Sequence, residues 1–188
     1  MIYRSYKTQI IVNNKQQTTL RKHVGSARWA YNWALSIKKT AFDNKQKIPS
    51  YIDLSKELTK LKEFIVPWMY DSSKCAPQNA LIDCDTAFKN FFDRCKKRVK
   101  GDKGFPKYKS KRNEKQSFKL QGTISVGNNY IKLPRIGKVK LCQIGYIPTD
   151  CKILSATVST RAGKWFVSVN VEAPNKIPTK AINNIIGV

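Results

Sequence analysis

Acidic side chains are scarce in this sequence. Twelve Asp and Glu stand against 36 Lys and Arg among 188 residues, leaving a formal charge of +24. Such an excess repels itself in a compact state unless a polyanion lies close, so nucleic acid is the partner class it points to. A membrane surface could meet the same charge, but no apolar stretch nears the roughly 18 residues of a spanning helix. The opening "MIYRSYKTQIIV" also lacks the layout of a secretory signal, so an intracellular, cytoplasmic protein with no membrane partner is expected. Histidine is nearly missing: His23 alone leaves no base for a nucleophilic triad, and a solvent-facing or helix-capping role is expected for it. The few carboxylates are scattered, and the one close pair, Asp83 and Asp85, points to different faces of a helix, which disfavours two-metal chemistry. No catalytic residue is assigned. The five cysteines, Cys75, Cys84, Cys95, Cys142 and Cys151, are odd in number and form no C-x-x-C pair. That spacing excludes a disulfide framework and a zinc knuckle. Neither metal nor cofactor is expected in this chain.

What remains is a sequence that changes period twice. Tyr6, Thr8, Ile10 and Val12 alternate with polar residues and predict a strand over 3–12. From about Gln16 to Lys45 the period is helical, with Leu20, Val24, Ala27, Tyr31, Ala34 and Leu35 on one stripe. A shorter helix follows from Tyr51 to about Lys62, and a third begins near "SSKCAPQNAL", where Ser72 or Ser73 can cap it. Leu81, Cys84, Phe88, Phe91, Phe92 and Cys95 lie on its apolar stripe, so Cys84 and Cys95 read as buried free thiols. Alternation then returns, with strands predicted near 118–125, 130–133, 138–143, 153–160 and 164–172. In the last two, Leu154, Ala156 and Val158 face one way, as do Trp165, Val167, Val169 and Val171, and "RAGK" supplies the turn. The opening strand cannot stand alone, so it should join the later strands in one barrel or twisted sheet interrupted by the helices. "PNKIPTK" reads as a linker, and the apolar "AINNIIGV" as the start of a buried strand.

The strongest chemical feature is "RCKKRVKGDKGFPKYKSKR". From Arg94 to Arg112 it holds ten Lys or Arg and one acid, Asp102. A helix end favours cations near its free carbonyls, which accounts for Arg94, Lys96, Lys97 and Arg98 but not for the rest. Lys107, Lys109, Lys111 and Arg112 suit phosphates, and the interleaved Phe105 and Tyr108 suit stacking on bases or sugars.

Four ordered blocks, "GSARWAYNWAL", "PQNALIDCDTAFKNFF", "GFPKYKSKR" and "IKLPRIGKVKL", together resemble the TnpB family, transposon-encoded RNA-guided DNA nucleases related to type V CRISPR effectors. The resemblance implies an α+β fold: a split wedge-type β-barrel with an inserted three-helix recognition domain, followed by a RuvC-like nuclease with a zinc-binding insert. Its implied boundaries are 1–15 for the first wedge strand, 16–103 for the helical domain, 104–173 for the rest of the wedge, 174–181 for a linker and 182–188 for the start of the nuclease. "NIIGV" looks like the first nuclease strand, so the family's carboxylates, divalent metal ions and zinc would lie beyond Val188. The chain is then expected to bind guide RNA and target double-stranded DNA without cutting it. The same resemblance gives motif-reading roles to Tyr51, Lys74, Gln78 and Thr123, with Cys75 where an aromatic is common. A Gln amide can bond an adenine edge bidentately. Arg21 and Arg28 join Arg94–Arg112 as holders of nucleic-acid backbone, and Tyr31 and Trp33 are assigned to the core. The alternative is a stand-alone helical DNA-binding protein or repressor of transposition.

Overall fold

The computed structural model describes residues 2–98 and 100–173. The linker expected at 174–181 and the strand expected from 182 therefore lie outside the described residues. Strand β1 (Ile2–Ile11) leads into helix α1 (Asn14–Asp43), then α2 (Tyr51–Phe64), a 3-10 turn (Pro67–Asp71) and α3 (Cys75–Lys96). Six strands follow: β2 (Gln116–Leu120), β3 (Ser125–Val126), β4 (Tyr130–Leu133), β5 (Gly137–Leu141), β6 (Lys152–Arg161) and β7 (Lys164–Ala173).

Capping fixes where the first two helices start. Asn13 accepts from the Gln16 N–H while the Gln16 side chain accepts from the Asn13 N–H, and Ser50 with Asp53 repeats the arrangement before α2. α3 begins differently, with Lys74 at its cap and no side-chain cap there. The serines expected to cap it are buried instead. Ser72 Oγ donates to the Met69 carbonyl and contacts Ser26 Oγ, and Ser73 Oγ accepts weakly from the Cys75 N–H at 3.4 Å. α1 and α3 pack through small residues, Ala27, Ala30 and Ala34 facing Ala76, Ala80 and Cys84, all buried. Cys84 is fully buried with its thiol pushed up to about 11 by desolvation, whereas Cys95 is half-buried.

All seven strands join one antiparallel sheet in the order β2-β6-β7-β1-β5-β4-β3. The strand farthest upstream therefore sits in the middle. β1 pairs with β7 along nearly its whole length, Ile2 to Ala173 through Ile10 to Trp165, and touches β5 at Ile10 and Ile11. Among the described residues the sheet is not closed: β2 and β3 end it, where a barrel was expected. α3 backs the β2 edge, since Asn79 Nδ2 lies 3.4 Å from the Lys119 carbonyl and Cys75 Sγ 3.5 Å from that of Gln121. One inner face carries Ile10, Phe118, Leu120, Ile131, Val139, Val158, Val167 and Val169, and these form one core with the helices. Leu154 departs from its expected place. The ladder shifts between Ile153 and Ser155, so Ile153 opposes Val171 and Leu154 is displaced outward.

Candidate nucleic-acid interface

The stretch from 102 to 110 has no helix or strand, so its backbone groups must find side-chain partners. Arg94 Nε donates to the Lys103 carbonyl at 2.8 Å and its Nη2 to Gly104 at 3.2 Å. Asn32 on α1 bonds Lys109 twice, donating to its carbonyl at 2.9 Å and accepting its N–H at 2.8 Å. Gln116 Nε2 reaches the carbonyls of Ser110, Lys111 and Asn113 at 2.8, 3.3 and 2.8 Å, while its Oε1 accepts from Arg28 at 3.3 Å. The basic stretch is thus held against α1 rather than hanging free.

This fixed path sorts its cations. Lys96, Lys97, Arg98, Lys107, Lys111 and Arg112 are exposed. Arg94 is spent on carbonyls, and Lys109 turns inward with its amine 4.1 Å from the centre of the Tyr31 ring. Desolvation lowers the Lys109 pKa, opposed by Asp83, and burial pushes the Tyr31 hydroxyl up to about 12. Arg94 and Lys109, expected to hold nucleic-acid backbone, thus have their charged heads engaged within the protein, Arg94 on the Lys103 and Gly104 carbonyls and Lys109 against the Tyr31 ring. Phe105, expected to stack on bases or sugars, lies among other aromatic rings of the protein. Its ring packs against Phe91 at 5.0 Å, Phe88 at 5.6 Å and Phe42 at 5.7 Å, which leaves Tyr108 as the exposed aromatic.

Beside this segment an open cleft of about 660 Å3 runs between α1 and the β6–β7 hairpin. Arg21, Lys22 and Arg28 of α1 line it with Lys111, and Gln17, Thr18, Gln116 and Thr160 add uncharged polar groups. Among the described residues no acid lines it, although Asp71 pairs with Lys22 at 2.8 Å, so Arg21, Arg28 and Lys111 are the lining cations without an acidic partner. Sequence reasoning singled out Arg21, Arg28 and Lys111 but missed Gln17, Thr18 and Thr160. The helical spacing of Gln17, Thr18, Arg21 and Arg28 was the signal that could have found the first two.

The four residues given motif-reading roles come from three places: the start of α3, the start of α2 and the loop after β2. Lys74 at the cap of α3 and Gln78 on its first turn are exposed, and exposed Thr123 follows Gln121, whose carbonyl meets Cys75. Tyr51 opens α2, where its N–H donates to Asp85 at 3.1 Å. Asp85 lies two turns beyond Gln78, about 10 Å along the axis. Asp85 also pairs with buried Lys38, while Asp83 faces Lys109 and Lys119 with a pKa raised by desolvation, so the two acids do point apart.

His23 corrects another expectation. It is fully buried, its Nδ1 bonded to the Thr19 carbonyl at 2.8 Å and its Nε2 accepting the Ser73 N–H at 2.9 Å. The accepting Nε2 fixes the neutral tautomer, with the proton on Nδ1. Among the described residues no group of three His, Cys, Asp or Glu could hold a metal ion, and no helix is long and apolar enough to cross a membrane.

Residues 1–47 match a family described as a helix-turn-helix domain, of the OrfB–IS605 type; the described part of that range forms β1 and α1. Over 187 residues, 98% of this chain, the sequence is 26% identical to InsQ of Escherichia coli (strain K12), whose name describes an RNA-guided DNA endonuclease. The chain spans 44% of the length of InsQ. With these two matches in agreement, the resemblance of the chain to the TnpB family holds along nearly its whole length.

Proposed function

We propose that this chain is the lobe of a TnpB-like RNA-guided DNA endonuclease that binds guide RNA and target DNA, and that it does not cut DNA on its own. The observation that carries the reading is the clamped basic segment beside a cleft lined by Arg21, Lys22, Arg28 and Lys111, in a chain similar to InsQ over nearly its whole length. On this reading the sheet is the wedge domain, begun by 1–15 and completed by 104–173, and 16–103 is the recognition domain. Lys96, Lys97, Arg98, Lys107, Lys111 and Arg112 hold phosphates with Arg21 and Arg28, and Tyr108 stacks on a base or sugar. Gln78, with Lys74, Thr123 and Tyr51, reads the duplex motif beside the target.

Copurified nucleic acid should contain one recurrent RNA species when sequenced. Replacing Lys96, Lys97, Lys107, Lys111 and Arg112 by Gln should weaken binding and flatten its salt dependence, by about 0.7–0.9 in log–log slope for each phosphate no longer neutralised. An unchanged slope would rule the segment out as the contact surface. Incubation with guide RNA, matching DNA and magnesium should leave the DNA intact, and guide-dependent cutting would refute that part. The helix-turn-helix match favours a second reading, a stand-alone DNA-binding protein or repressor of transposition. Duplex binding at full strength after all RNA is removed would select it.

A further inference from the structure

We infer that Asn32 and Gln116 are positioning residues that hold the basic segment in its binding shape before nucleic acid arrives. The inference rests on the interface proposed above. Between them the two amides occupy the Lys109 N–H and the carbonyls of Lys109, Ser110, Lys111 and Asn113. These are the groups that a segment without helix or strand would otherwise leave to water. The result is a fixed presentation: Lys109 is turned onto Tyr31, and Lys107, Tyr108 and Lys111 are presented outward. Gln116 also bonds Arg28, which ties the segment to the cleft.

Neither amide carries charge, so neither contributes to counterion release. Their role is entropic. A loose segment must be ordered when it binds, which lowers affinity, whereas the phosphates touched in the bound state stay the same. Loss of a pin therefore has a different signature from loss of a lysine.

The test uses the full chain, Asn32→Ala and Gln116→Ala, and two probes, a random-sequence single-stranded RNA and a random-sequence DNA duplex. Each variant should exchange the amide hydrogens of 105–113 faster, bind about tenfold more weakly, and keep the wild-type salt slope and melting transition. Wild-type affinity despite faster exchange would overturn the inference. So would weaker binding with unchanged exchange, because the amides would then be touching nucleic acid directly, and so would a slope that falls with affinity. Should Asn32→Ala lose cooperative melting, Gln116→Ala decides, since it sits at the first residue of an edge strand. Lys107→Gln with Lys111→Gln separates the two readings. If this pair binds as wild type, the interface itself fails; if it weakens binding and the amide variants do not, only the positioning role fails.

Discussion

Protonating His23 would break the bond from the Ser73 N–H and place a charge inside the core. Burial is the main cause that lowers its pKa from the usual 6.5, and the Thr19 carbonyl opposes it. The unfolded chain therefore binds the proton more readily than the folded one. Stability is full above about pH 6.5 and is lost as pH falls from there toward the folded value. Thermal melting should show this decline, and His23→Gln, which cannot titrate, should flatten it. Lys38 poses a related problem toward the other end of α1, buried with Asp85 as its partner and the Pro49 carbonyl at 2.5 Å. Asp85→Ala strands that charge and should cost about 3 kcal/mol in a denaturant titration, whereas Lys38→Met combined with Asp85→Leu should be close to neutral. Neither role was legible in the sequence. The partner of His23 lies 50 residues away, and local spacing carries no trace of such a pairing. Tyr31 and Cys84 were legible, because both sit on an apolar stripe of helical period and both are buried.

Strands and helices were easier to read than the way they end. Alternation located β6 and β7 to within a residue or two, and the turn between them is a two-residue loop closed by Arg161 opposite Lys164. Both loop residues have positive φ, 49° at Ala162 and 72° at Gly163, as a type I′ turn requires. Alanine is the wrong residue there. Ala162→Asn should stabilise the protein by roughly 0.5–1 kcal/mol, read as a higher denaturant midpoint with an unchanged slope. Leu154 was misplaced for a reason that pattern cannot supply, since a bulge inserts one residue and reverses the facing of everything before it. The basic segment was legible as charge but not as structure. Its order comes from Arg94, Asn32 and Gln116, each contributed from another element.

At the scale of the molecule, the helical block and the sheet share a core. The His23 ring lies 5.0 Å from that of Phe118, and Phe118 belongs to β2. Helices and sheet should therefore melt in one transition. Circular dichroism of the helices and hydrogen exchange in β7 should give the same midpoint, and Phe118→Ala should lower both together by about 3 kcal/mol. Separate midpoints would show two independent units. Whether the seven strands close was beyond the reach of periodicity, because it depends on what stands at the β2 edge, and α3 stands there.

The central place of β1 also bears on how the protein is made. Of the described strands its ten residues leave the ribosome first, yet the β7 ladder that holds them is synthesised last. At ordinary translation rates that is a delay of about ten to thirty seconds. During this interval the edge of β1 that β7 will cover is bare beside other nascent chains, and Arg4 and Lys7 are the charges that discourage it from pairing with them.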